Sequence, residues 1–193
     1  MSRVIFCYTG TGNSLYVAKS IANFIGAKLR LLDQSVLRQS ISGDYEYLGI
    51  VFPVYHQELP IMVRQFVNQF SNVRCNYVFG VSTYGDKPTL ALSYLEEILS
   101  KRNMQLKSGF AVQMPYNYLR PNKFGIDMIN SFTVKLPNDK KKQDILTKAE
   151  NKIMQIAEQI NEKHTCKAEV SDKFIEVLVD RLRLRDSVQK NNG

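Results

Sequence analysis

The chain has no apolar run approaching the ~20 residues that a membrane-spanning helix needs. Its longest run, Tyr47–Val54, is the length of a strand. It has no CxxC pair, and its three cysteines, Cys7, Cys75 and Cys166, are far apart and odd in number. That excludes a zinc ribbon, a thioredoxin-type dithiol and a disulfide-built secreted domain. Each cysteine is read as a small hydrophobe in a reducing, cytoplasmic setting. There are only two histidines, His56 and His164. No serine sits in a nucleophile elbow, so no triad of that type is legible. The opening residues, Met1-Ser2-Arg3-Val4, run into an apolar strand-like segment without a signal-peptide pattern. Acidic residues are the scarcer charge, 18 against 26 basic. The excess of +8 suits an anionic partner in principle. It is spread along the chain, however: residues 1–132 carry 13 basic and 8 acidic groups, and 133–193 carry 13 and 10. No dense basic stripe interleaved with aromatics appears, and a nucleic-acid partner is not expected.

What is present is ordinary globular material. The 193 residues are 44% hydrophobic and 23% charged, enough for one cored domain with an appendage. Strand and helix patterns alternate. Arg3–Tyr8 reads as a buried strand and Ser14–Ile25 as a helix closed by Gly26. Lys28–Leu32 is a second strand, followed by a polar connection over Ser35–Glu46. Tyr47–Phe52 is a third strand, ended by Pro53. Pro60 opens a helix with Met62, Val63, Phe66, Val67 and Phe70 on one face. Asn76–Ser82 is a fourth strand, a helix after Pro88 holds Leu90, Leu92, Leu95 and Leu99, and Ser108–Met114 is a fifth strand. This alternation predicts an α/β fold, a parallel sheet with helices on both faces. Pro115–Asn138 is aromatic and irregular. Lys141–Lys163 is an amphipathic helix. Phe174–Leu184 is read as a helix capped by Ser171, although Ile175, Val177 and Val179 also fit a period of two.

In open α/β sheets, ligands bind outside the carboxyl ends of the strands, where strand order reverses. The loop after strand one is Thr9-Gly10-Thr11-Gly12-Asn13-Ser14. It joins a buried strand to a helix start and offers two glycines, three hydroxyls and an amide. With the unpaired amides and positive dipole end of the helix, that chemistry suits a phosphate held without a charged side chain. A Walker loop needs lysine where Asn13 stands. A dinucleotide fingerprint needs a small residue where Leu15 stands, although Asp33 lies where a ribose-binding carboxylate would. A plain strand-to-helix turn with Asn13 or Ser14 as the N-cap explains one glycine and one cap, but not six small polar residues in a row.

Thr9–Ser14 resembles the phosphate loop of the flavodoxins, which carry flavin mononucleotide (FMN). Phe52-Pro53-Val54-Tyr55 after strand three and Ser82-Thr83-Tyr84-Gly85-Asp86 after strand four match in the expected order. The wording is nearest the flavodoxin half of flavodoxin–ferredoxin fusion proteins (the EFR family). Leu59-Pro60 and Met114-Pro115-Tyr116-Asn117-Tyr118 extend the likeness, which covers residues 3–163. The resemblance implies a three-layer sandwich with a five-stranded sheet of order 2-1-3-4-5. It implies an FMN domain over residues 1–165, with 166–193 a C-terminal extension.

The resemblance also implies roles. Thr9, Thr11, Asn13 and Ser14, with the amides of Gly10 and Gly12, would hold the phosphate. Tyr55 and Tyr84 would cover the ring faces, and backbone groups around Pro53, Val54, Thr83 and Gly85 would meet its polar edge. Asp86 would add negative charge nearby, and His56 is the histidine nearest the site. The implied function is electron transfer with a redox partner protein, a ferredoxin or a reductase. An FMN-dependent NAD(P)H or quinone oxidoreductase, with the aromatic segment Pro115–Phe132 as a wall, is the second reading. A non-redox scaffold for a phosphorylated ligand or a partner is the third. Two departures stand out. Three scattered cysteines cannot ligate a ferredoxin cluster, and the chain is basic where typical flavodoxins are acidic.

Overall fold

The computed structural model describes residues 1–55, 58–115 and 139–171. The expectations for His56, for the aromatic residues Tyr116 to Asn138 and for a helix over Phe174–Leu184 lie outside them. The elements run β1 (Ser2–Cys7), α1 (Asn13–Ile25), β2 (Lys28–Leu31), α2 (Gln34–Leu37), β3 (Ile41–Pro53), α3 (Ile61–Asn68), β4 (Phe70–Tyr84), α4 (Ala91–Ser100), β5 (Leu106–Gln113) and α5 (Asp139–Asn161). The five strands form one parallel sheet of order β2-β1-β3-β4-β5. This is the doubly wound order with its switch point between β1 and β3, the order that the flavodoxin resemblance implies.

Alternation along the central strands supplies two cores, because successive side chains face opposite sides of the sheet. On one face, α1 buries Val17, Ala18, Ile21, Ala22 and Ile25, and α5 buries Ala149, Ile153, Ile156, Ala157 and Ile160. Both pack over Ile5, Cys7, Val51, Phe79 and Val81. On the other face, α3 and α4 set Val63, Phe66, Leu92, Leu95 and Leu99 against Val4, Phe6, Ile50, Phe52 and Val78. Truncating a ring such as Phe66 or Phe79 to alanine would cost about 3–5 kcal/mol. All three cysteines are free. Burial pushes the Cys7 thiol up to about 12 and the Cys75 thiol up to about 11, so both carry little thiolate at neutral pH. No helix of the described residues is long and apolar enough to cross a membrane.

The structure departs from the sequence pattern in two places. The polar connection over Ser35–Glu46 holds most of α2, which starts at Gln34 and is capped by the Asp33 carboxylate, and the first residues of β3. Likewise β4 begins at Phe70, well before Asn76. These lower halves pair with each other, Ile41 opposite Phe70, Asp44 opposite Arg74 and Tyr45 opposite Cys75. Ladder bonds need backbone, not apolar side chains, and most of the side chains here are exposed. A hydrophobic pattern is therefore silent over the extension. An Arg74–Asp44 ion pair at 2.6 Å ties the two strands there.

The chain returns along the sheet edge after α5. Cys166 N–H donates to Lys107 O (3.1 Å), Glu169 N–H to Gly109 O (2.9 Å) and Ser171 N–H to Thr89 O (3.4 Å). The Glu169 carboxylate takes the Ala111 amide at 2.8 Å and pairs with Lys152 at 2.6 Å. Residues 166–171 thus cover backbone groups of β5 that an edge strand would otherwise leave open.

Candidate functional site

β1, β3 and β4 end at the same side of the sheet, and their loops bring together the three segments singled out in the sequence. The loop after β1 turns into α1 at Gly12, which has φ 94° and ψ −17°. An L side chain is strained there, so glycine sets the turn. Gly12 is itself the N-cap and no side chain caps the helix. The alternative with Asn13 or Ser14 as cap is therefore not what forms. Gly12 N–H donates to Thr9 Oγ1 at 3.1 Å, which rigidifies the loop from within. The first helical rung is Tyr16 N–H to Gly12 O at 2.9 Å. The amides of Asn13, Ser14 and Leu15 lie ahead of that rung at the positive end of α1. Among the described residues nothing accepts from the amides of Gly10 or Thr11, and both residues are exposed.

Two side chains of the loop hold other loops. Asn13 Nδ2 donates to Pro115 O at 2.9 Å, fixing the chain just beyond β5. Ser14 Oγ lies 2.8 Å from Thr83 Oγ1, a buried contact across 69 residues of sequence. The expected phosphate donors thus differ in kind. Thr11 and the loop amides face outward, Thr9 braces the loop, Asn13 and Ser14 brace its neighbours.

Tyr55 lies over the loop. A Cβ built on Gly10 would fall 2.2 Å from the Tyr55 hydroxyl oxygen. The first glycine of the loop, Gly10, therefore allows the close approach of this tyrosine. Tyr8 meets the Tyr55 ring edge-to-face, with centroids 6.2 Å apart and planes at 89°. Tyr55 remains 40% exposed despite these contacts. Burial raises its phenol pKa and Tyr8 adds to the rise. Tyr84 ends β4 half-buried, and its phenol is also raised, by burial first and then by Glu169.

Several backbone groups expected to meet a ring edge already have partners. Val54 N–H donates to Thr83 O at 2.8 Å and Met114 N–H to Tyr84 O at 2.8 Å. Gln113 Nε2 donates to Gly85 O at 3.0 Å. Glu58 N–H donates to Tyr55 O at 2.8 Å, closing the short Tyr55–Glu58 bridge. Pro53 is the last residue of β3, opposite Thr83. Asp86 is exposed in the turn after β4. Asp33 is committed elsewhere: its carboxylate accepts from the Ser35 amide and hydroxyl and the Val36 amide at 2.5–3.0 Å. It caps α2, and the dinucleotide reading loses its ribose-binding carboxylate. Tyr8, Gln113 and Glu169 were not singled out in the sequence. Tyr8 and Gln113 are strand-end residues, and that position was the available signal. Glu169 arrives from a distant segment and left none.

No protein-family model and no curated protein sequence matches this chain. Solved structures do. An FMN-dependent NADH-azoreductase from Bacillus anthracis str. Ames Ancestor, in complex with FMN, is 9% identical over 83% of this chain and 100% of its own, with TM-score 0.49. A flavodoxin, WrbA-like protein from Agrobacterium tumefaciens is 13% identical over 56% of this chain and 82% of its own, with TM-score 0.43. The Trp repressor binding protein from Bacillus subtilis is 17% identical over 62% and 87%, with TM-score 0.42. These are distant likenesses, and the fold class stands on the strand order itself.

Proposed function

We propose that the chain binds FMN at the carboxyl end of its sheet and transfers electrons through it. The observation that carries the reading is the Thr9–Ser14 loop. Its exposed Gly10 and Thr11 amides lie beside the N-terminus of α1 at the sheet's switch point, with no cationic side chain in the loop. Neutral donors at a helix N-terminus suit a phosphate monoester. The donor set fits such a group, and the space beside Gly12 is open, with nothing within 4 Å of a built Cβ.

Bound flavin would supply the one- or two-electron chemistry. The chain's part is to hold and orient it. Gly10, Thr11 and the α1 amides bind the phosphate. Thr9 keeps Gly12 in its turn. Tyr55 and Tyr84 offer aromatic faces for the ring, each worth roughly 0.5–1.5 kcal/mol beyond area burial. Asp86 places negative charge on the rim, which disfavours an anionic reduced ring. A redox protein, a ferredoxin or a reductase, is the partner, and an acidic docking face on it would suit the chain's net +8.

The test is a visible spectrum of the purified protein and a titration with FMN followed by fluorescence quenching. One-to-one quenching is expected. A colourless protein that leaves FMN fluorescence unchanged overturns the reading. Negligible steady-state turnover of NAD(P)H with a quinone separates a carrier from a reductase.

A further inference from the structure

We propose that Thr83 is a positioning residue for the phosphate, acting through Ser14. The proposal rests on the FMN reading above and assigns a role at that site to a residue from a different loop. Ser14 is 1% exposed and Thr83 3% exposed, and their hydroxyl oxygens are 2.8 Å apart. Ser14 is the second residue of α1, two residues after the Gly12 N-cap that opens the helix. Thr83 is the penultimate residue of β4.

Hydrogen accounting gives the pair its function. Two hydroxyls carry two hydrogens, and one is used between them. Among the described residues neither oxygen has a further partner. One O–H donor is therefore left over in a buried place, where an unsatisfied donor costs about 1–3 kcal/mol. Two arrangements are possible. With Ser14 donating to Thr83, the surplus hydrogen is on Thr83, inside the sheet. With Thr83 donating to Ser14, it is on Ser14, at the start of α1. An anion in the loop selects the second arrangement, because it rewards a donor at the helix terminus. Thr83 then fixes the Ser14 rotor and polarises its O–H, as in other hydroxyl chains. A purely structural role would be served as well by an apolar pair of the same shape.

The experiment compares FMN with riboflavin, which has the ring and no phosphate, by fluorescence quenching. Thr83→Val, close in shape, is expected to weaken FMN binding roughly fivefold and to leave riboflavin binding unchanged. Thr83→Ser should restore FMN binding. In a Ser14→Ala background, Thr83→Val should have no further effect on FMN, because the route runs through Ser14. Thermal melting of each variant reports folding independently. Equal weakening of FMN and riboflavin, or the same loss with Ser14 absent, overturns the proposal. So does a Thr83→Val protein that binds FMN like the wild type, while leaving the FMN reading intact. A wild-type chain that binds neither flavin overturns both.

Discussion

The two ends of the sheet present the same kinds of groups, hydroxyls and helix termini, and treat them oppositely. At the amino end, the helix C-termini are closed by side chains from the strands. Arg3 Nη1 donates to Ile25 O of α1 at 2.9 Å. Tyr47 Oη donates to Asn161 O of α5 at 3.0 Å, and Tyr77 Oη and Ser108 Oγ both donate to His164 O just beyond it. At the carboxyl end, α1 begins with no side-chain cap, and exposed Gly10 and Thr11 keep their amides open among the described residues. A helix terminus always leaves backbone groups unsatisfied. It becomes a place for a ligand only where the sheet sends it no partner. The hydroxyls at the amino end are thus fastenings, and those at the carboxyl end are candidates for binding.

The largest expected effect falls on the fastened end. Replacing Tyr77 by Phe together with Ser108 by Ala removes both donors from the His164 carbonyl. It should cost about 1–3 kcal/mol in urea unfolding. FMN affinity should stay within about twofold of the wild type, since that end is remote from the loops. A loss of FMN affinity at unchanged stability would break the division of labour between the two ends.

The open end is tested by the contact between Gly10 and Tyr55. Gly10→Ala should cost about 1 kcal/mol, the low end for overpacking, because Tyr55 is 40% exposed and has room to turn. In a Tyr55→Phe background the same change should be neutral. The hydroxyl at 2.2 Å is then gone, and the next ring carbon is 3.5 Å from the new methyl, an ordinary contact. Chemical unfolding of the four proteins gives the coupling directly. Equal costs in both backgrounds would show that the tyrosine does not lie on the loop.

The open end was the more legible in the sequence, for a physical reason. Thr9–Ser14 is an unbroken run of small polar residues between a buried strand and a helix, and such a run stands out in a sequence whose elements are marked by apolar periodicity. Most of the helices followed from hydrophobic periodicity, because Val17, Ile21 and Ile25 or Ile153, Ile156 and Ile160 lie at helical spacing and are buried, whereas the sheet order was implied by the flavodoxin resemblance and not by periodicity. The fastened end was silent. Tyr47, Tyr77 and Ser108 look like ordinary strand residues, and their partners are carbonyls in a helix end far along the chain. The lower halves of β3 and β4 were missed because their side chains are largely polar and exposed. The Ser14–Thr83 bond was illegible for the same reason as the fastenings. Each residue was a candidate singly, and only the fold makes them a pair.

The smallest effect separates charge from hydroxyl among the fastenings. Glu46 bridges Arg3 at 2.9 Å and Lys163 at 3.1 Å, joining β1, β3 and the turn just beyond α5. The hydrogen bond from Arg3 and then that from Lys163 hold its carboxyl below the usual value. A carboxylate depressed in the folded state adds stability above its unfolded pKa, and that contribution is lost as pH falls through the lower, folded value. The urea midpoint should therefore fall on acidification below the ordinary glutamate range, and Glu46→Gln should fall less steeply. Asp33 and Asp44 are depressed too, by Ser35 and Arg74 respectively, so the difference between wild type and variant isolates Glu46. The bridge is partly exposed to solvent, which keeps the difference small and shrinks it in high salt. Parallel curves at low salt would mean that the hydroxyl and guanidinium bonds to the helix carbonyls hold this end without help from the ion bridge. The FMN affinity of the two proteins should coincide at every pH, because the bridge sits at the end of the sheet away from the loop.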